Sequence, residues 1–347
     1  MAVVVTDADR ASRRRRLRVV LAVSVPTLLL AACTGAAGSD RLTIYSGRGE
    51  SLVAPVLEQF NEDTGIGIDV RYGDSAELAL LIDEEGEASP ADVFYSQTPG
   101  ATGFLAANDR LTGLPDDLLS RVDEQFRGAG GQWVGITGRQ RVLVYNSDEL
   151  DESDLPESVL DVNDEPWAGR VAIAPSNGSF QDFVTALRQT EGADTARAWL
   201  EGLAEADAPT YANNNAIVEA VGRGEVDMGL VNHYYNYRFL EEDPDLPSRN
   251  HVFGGSDIGA LLIDSTAAVT TASDNPDAER LIEYLLSEDA QRFFADETKE
   301  YPLAAGVEPA EDVPPLDTST IPSVQINELG GGLTDTLQLI RDSGLSG

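Results

Sequence analysis

Apolar and polar residues fall into blocks along this chain, and their period changes from block to block. Residues 42–45 form a short apolar run of strand length. After it Leu52, Val53, Val56, Leu57 and Phe60 recur at helical spacing. A helix is expected there, with Ser51 as its cap, Pro55 in or near the first turn, and Gly65 as its stop. Ile66, Ile68 and Val70 then alternate with other residues up to Tyr72, as in a strand with one buried face. An acidic helix is expected from Ser75 to Gly86, and a strand over 92–95. The resulting β-α-β-α-β order predicts a parallel sheet covered by helices.

The pattern continues into a second α/β region. Strands are expected over 141–145, 169–174 and 228–232, and helices over 180–188, 195–203, 216–222 and from His233 onwards. Apolar runs at 260–263 and 267–269 precede helices expected over 277–286 and 290–295. Breaks rich in Pro and Gly near 306–316 and 329–332 come before a last helix over 334–341.

Open α/β sheets bind ligands beyond the carboxyl ends of their strands. The loops that meet this description are 46–50, 96–100, 175–179, 213–215 and 232–235. Asn177-Gly178-Ser179 stands before a helix, whose free N–H groups can hold an anion, although Asn and Ser are also ordinary caps. Tyr234 and Tyr235 are adjacent phenols at another helix start. Phenolate is a hard ligand suited to Fe³⁺. The same pair also suits plain aromatic packing, or stacking on an organic ligand. An enzyme is not expected, because only His233 and His251 are present and no nucleophile–base pair is evident by spacing.

The N-terminus adds a compartment. Arg13 to Arg16 and Arg18 precede an apolar stretch over 19–30, which is too short for a bilayer that needs roughly 20 apolar residues. A secretory signal over 1–32 is expected. The junction Leu30-Ala31-Ala32-Cys33 resembles a bacterial lipobox, so Cys33 is the expected lipidation site and 33–40 a flexible tether. The arginine run also fits, weakly, twin-arginine export. Cys33 is the only cysteine, which leaves no intrachain disulfide and no thiolate chemistry elsewhere.

Without residues 1–32 the chain has 315 residues, enough for two domains. The removed part carries six arginines and two aspartates, so 18 basic and 58 acidic residues remain, a formal net charge of −40. Nucleic acid and anionic membrane surfaces are poor partners for such a surface, and the membrane is reached through the lipid anchor alone. Lys299 is the only lysine. A GC-rich genome accounts for that loss but not for the acid excess, which fits a salt-tolerant source.

Seven segments together resemble the periplasmic ferric-ion-binding proteins of ABC transporters. They are Tyr45-Ser46-Gly47-Arg48, Ser89 to Ser96, Gly138 to Tyr145, Pro175 to Phe180, Tyr211 to Asn214, Asn232 to Tyr235, and Glu300-Tyr301-Pro302-Leu303. The resemblance implies an α/β, two-lobed type II periplasmic-binding fold with a hinge and an interlobe cleft. One lobe would hold 41–140 and 263–312, the other 141–262 and 313–347. It further implies that Tyr234 and Tyr235 bind Fe³⁺. A synergistic carbonate or phosphate would rest on Asn177, Gly178, Ser179, Asn214 and Asn232. The loaded protein, expected to be a monomer, would deliver iron to a membrane permease driven by its ATPase.

The chain departs from that pattern. Gly49 stands where some members have histidine, Gln97 where some have glutamate, and the 177–179 loop lacks a tyrosine that others carry. Arg48, Glu50, Gln97 and Arg139 are therefore further cleft candidates. Glu50 or water would complete the metal's ligands, and Arg48 and Arg139 would pair with the anion. The alternative function is a binding protein for an organic or oxyanion solute stacked on Tyr234 and Tyr235.

Overall fold

The computed structural model describes residues 41–317, 321, 322, 324 and 332–345. The expected signal segment, Cys33 and the tether lie outside them. The chain opens with β1 (Leu42–Ser46), α1 (Glu50–Thr64), β2 (Ile68–Tyr72), α2 (Ser75–Glu85), β3 (Val93–Ser96) and α3 (Pro99–Ala107). β1 pairs in parallel with both β2 and β3, as the alternating order predicts. α2 starts at Ser75 and stops at Gly86 as expected, with Asp74 as its cap, accepting from the N–H groups of Ala76 and Glu77. Two local expectations need correction. α1 starts at Glu50, capped by the extended backbone of Gly49, so Ser51 lies inside the first turn and Pro55 in the second. α3 is not expected from the sequence, where 96–100 reads as a loop and no helix follows it. Pro is tolerated at the first helical position, and this helix's small residues lie buried. Gly65 does end α1, at φ 71°, where its N–H reaches the Asn61 carbonyl.

A short helix α4 (Asp116–Leu119) leads to β4 (Val134–Asn146), β5 (Val171–Ala172), α5 (Gly178–Thr190), α6 (Ala193–Glu205) and α7 (Asn214–Gly222). Next come β6 (Met228–Asn232), α8 (His233–Glu242), β7 (Ser248–His251), β8 (Leu262–Val269), α9 (Ala278–Leu285), α10 (Glu288–Thr298), β9 (Tyr301–Pro302) and α11 (Leu333–Asp342). The strands run in the order β2-β1-β3-β8-β4-β6-β5, with β7 and β9 also on β4.

β4 joins the two halves of this sheet. Its first part, to Gln140, pairs antiparallel with β8, and its second, from Arg141, pairs with β6 and β7. Only 141–145 reads as strand from the sequence. Gly135, Thr137, Gly138, Arg139 and Gln140 break the apolar signal, yet all are buried. The same holds for β8, where two expected apolar runs are one strand interrupted by buried Asp264, Ser265 and Thr266. Polar residues therefore fill the middle of both long strands. The apolar core lies around them. Phe180, Phe183 and Trp199 form one aromatic cluster under α5 and α6. Fully burying such a side chain contributes roughly 1.5–3 kcal/mol. Among the described residues, no helix is long and apolar enough to cross a membrane.

Candidate functional site

The junction between β6 and α8 is where the sequence placed its phenols. Asn232 ends the strand in an extended conformation, and the helix begins at His233. Tyr234 is fully buried and Tyr235 is 8% exposed. Their rings stack with centroids 4.1 Å apart and planes 29° from parallel. His233 fixes this helix start. Its Nδ1 accepts the Gln140 N–H at 3.1 Å, so Nε2 carries the hydrogen and donates to the Lys299 carbonyl at 3.0 Å. The imidazole also stacks on Tyr301 at 4.5 Å. Burial pushes its pKa down to about 3, so the ring is neutral.

Three guanidiniums surround the same region, and none is exposed by more than 2%. Arg48, just after β1, donates through Nη2 to Glu300 Oε1 at 2.6 Å. Arg139 lies with Nε 3.8 Å from the same oxygen and donates through Nη2 to the Gln97 carbonyl. Arg141 donates through Nη1 to Asn232 Oδ1 at 3.2 Å. Thr137 and Thr298 hydroxyls complete the other carboxylate oxygen of Glu300, at 3.1 and 3.2 Å.

Buried polar atoms are nearly always hydrogen-bonded. Here many are not. Nε and Nη1 of both Arg48 and Arg139, Nη2 of Arg141, Nδ2 of Asn214 and Asn232, and the hydroxyls of Tyr95 and Tyr234 are buried without a bond. Every one of these groups can donate a hydrogen, which suits an anion; both carboxylate oxygens of Asp264 and Oδ2 of Asp182, which lie in the field of Arg139, are also buried without a bond. Burial works against the charge of Arg48, but Glu300, Tyr234, Tyr95 and Tyr235 hold its pKa above the usual value. Burial and Arg48 pull Arg139 down. Burial and then Tyr235 hold the Tyr234 phenol well above its ordinary 10, against the pull of Arg48. Burial pushes Tyr95 up to about 12. Both phenols are neutral near pH 7. Among the described residues no group of three His, Cys, Asp or Glu is arranged to hold a metal.

The structure brings Tyr234, Tyr235, Arg48, Arg139 and Asn232 into one neighbourhood. Asn177 caps α5, its Oδ1 accepting the Ser179 N–H at 3.0 Å, so its acceptor is already engaged. Gly178 faces the start of α3, where an added Cβ would sit 3.4 Å from Thr98 and 4.0 Å from Gln97 Nε2. Asn214 is buried at the first turn of α7, which Asn213 caps. Glu50 is not brought in. It is exposed in the first turn of α1, its charge bears on Tyr72, and no hydrogen bond or ion pair ties it to the tyrosines among the described residues. An acid is favoured there by the helix dipole alone.

Sequence reasoning passed over Glu300, Arg141, Tyr95, Asp182 and Asp264. Glu300 and Arg141 stood in plain view within two of the seven segments. The two aspartates are fully buried, and burial raises both to about 7. Asp182, on α5, reaches the backbone of Gly100 and the side chain of Thr98 at the start of α3. A separate cavity of about 480 Å³ lies among Arg41, Ser89, Asp92 and Asp277 at the opposite end of β1, and contains none of the site residues.

Residues 88–327 match the family described as bacterial extracellular solute-binding protein. The chain is 35% identical over 307 residues to the major ferric iron-binding protein of Neisseria meningitidis serogroup A, covering 86% of this chain and 91% of that one. It is 30% identical to the Fe(3+)-binding periplasmic protein of Serratia marcescens, covering 94% and 97%. Its backbone resembles that of iron-bound HitA from Pseudomonas aeruginosa with a TM-score of 0.83 at 37% identity, covering 88% and 99%.

Proposed function

Because the chain belongs to the periplasmic ferric-ion-binding proteins, a type II periplasmic-binding group of the bacterial extracellular solute-binding family, we propose that it captures Fe³⁺ outside the cytoplasm and delivers it to an ABC permease. One observation carries this reading. Two stacked phenols lie beside a cluster of buried guanidinium and amide donors that have no partner. Tyr234 and Tyr235 supply the oxygen ligands. The ion displaces their protons to water, which makes uptake proton-releasing.

An Fe³⁺ ion beside three guanidiniums and one carboxylate would be repelled, since like charges in a buried site are costly. A carbonate or phosphate that enters with the ion offsets that repulsion and occupies the free N–H groups of Arg48, Arg139 and Arg141. Asn214 and Asn232 offer further donors. Asn177, Gly178 and Ser179 edge the site from the start of α5. The two halves of the sheet are the two lobes, 41–140 with 263–312 and 141–262 with 313–347. They close about the change of pairing between Gln140 and Arg141. Cys33 carries the lipid that holds the protein, a monomer, at the outer face of the membrane beside the permease and its ATPase.

The excess of donors also favours a second reading, an organic or oxyanion solute whose charge meets the arginines and whose body stacks on the tyrosines. Colour separates the two. Purified protein loaded with ferric ion and bicarbonate, or phosphate, should retain one iron and absorb visible light through phenolate-to-iron charge transfer. A colourless protein that retains no iron with either anion would leave the solute reading in its place.

A further inference from the structure

His233 holds three parts of the molecule together by two hydrogen bonds. One goes to Gln140, the last residue of β4 before the pairing changes from β8 to β6 and β7. The other goes to the carbonyl of Lys299, which closes α10. Lys299 has φ 60°, a left-handed conformation that is strained for a non-glycine residue and persists where surrounding contacts impose it. Its ammonium group returns to the same helix, 3.1 Å from Glu241 of α8. α8 is thus tied to Lys299 near both of its ends. The next residue after Lys299 is Glu300, which holds Arg48, and the next residue after His233 is Tyr234, whose phenol lies in the field of Arg48 and Glu300. The chain and these bonds together run from Tyr234 through His233, Lys299 and Glu300 to Arg48, whose charge acts on the Tyr234 phenol without a hydrogen bond to it.

We propose that His233 is a positioning residue for the cargo. Its neutral Nε2–H tautomer sets the angle at which Tyr234 and Tyr235 enter the site, and ties that angle to the strand that joins the two halves of the sheet. The inference rests on the ferric reading above. His233 does not touch the cargo. It acts as an outer partner of a ligand, a class whose loss typically costs about 10- to 100-fold in metal affinity.

The test compares wild type with His233→Phe and His233→Gln, each loaded with ferric ion and bicarbonate. Phenylalanine keeps a ring on Tyr301 but loses both bonds. The glutamine amide supplies one acceptor and one donor, and so can restore them. The visible charge-transfer band, the rate of iron transfer to EDTA and the unfolding midpoint of the iron-free protein are recorded. Folded His233→Phe should release iron about 10- to 100-fold faster, with a displaced band, while His233→Gln stays near wild type on both. Wild-type band and release rate in His233→Phe would overturn the proposal, as would His233→Gln failing as badly as His233→Phe. If His233→Phe does not fold, imidazole ¹⁵N shifts of wild type loaded with diamagnetic Ga³⁺ decide. A single Nε2–H tautomer supports the proposal, and a mixture of tautomers overturns it. Failure of wild type to bind iron at all would instead sink the ferric reading, and this proposal with it.

Discussion

Arg48 and Glu300 stand 252 residues apart in the chain and meet through a 2.6 Å bond, with neither side chain exposed. Removing one partner of a buried pair leaves an uncompensated charge, which costs about 3–5 kcal/mol. Glu300→Gln should therefore lower the free energy of unfolding, measured by denaturant titration, by an amount in that range. The double variant Arg48→Met with Glu300→Gln should recover part of the loss, because Arg48 is then no longer stranded, while Arg139, whose Nε lies 3.8 Å from the same carboxylate, still is. A single variant as stable as wild type would show that the pair does not hold the fold.

Tyr234→Phe and Tyr235→Phe should each fold normally and lose most retained iron and visible colour. Phenylalanine preserves the stacked ring and removes only the oxygen. For wild type, colour should fade as pH falls, because protons compete with the ion for a phenol that burial already holds well above 10. A solute that merely stacks on the rings predicts little change in either variant. Absorbance and bound-metal analysis distinguish these outcomes.

Asp264 gives a pH-dependent contribution with a definite sign. Its folded pKa is about 7, above its ordinary 3.8, because burial disfavours the charged form. The folded state then binds the proton more tightly than the unfolded state. The associated stability is fully present below about pH 4 and is lost as pH rises through 7. Asp264→Asn should flatten this slope and gain on wild type between pH 5 and 8 in chemical unfolding. An unchanged slope would assign the pH dependence to other groups.

The acid excess predicts stabilisation by neutral salt. Raising sodium chloride from 0.1 M to 1 M shortens the Debye length from about 10 Å to about 3 Å and weakens repulsion among surface carboxylates. The thermal midpoint should climb across that range. A flat or falling midpoint would mean that surface repulsion does not limit this fold.

Cys33→Ser should release the protein from the membrane fraction of the producing cell into the soluble extracytoplasmic fraction. The lipobox-like junction Leu30-Ala31-Ala32-Cys33 motivates this. Membrane retention equal to wild type would rule out lipid as the anchor.

The sequence by itself determined whatever depends on neighbours along the chain. The periods of 42–72 specify a parallel β-α-β arrangement, because burying one face requires that spacing. Tyr234 and Tyr235 fall at a strand-to-helix junction for the same local reason, and the start of α8 lies where the pattern puts it. What the tertiary structure decided concerns residues whose surroundings come from far away. Arg139, Gln140 and Asp264 read as breaks in strand patterns, since a polar side chain is normally solvated. Only the meeting of β4 with β8 shows that they line the interior. Glu50 reads as a ligand candidate in the first loop, and Glu300 as part of a motif. Packing leaves Glu50 exposed in α1 and buries Glu300 against Arg48. A buried charge needs its partner within a few ångströms, and no spacing along the chain specifies a partner 252 residues away.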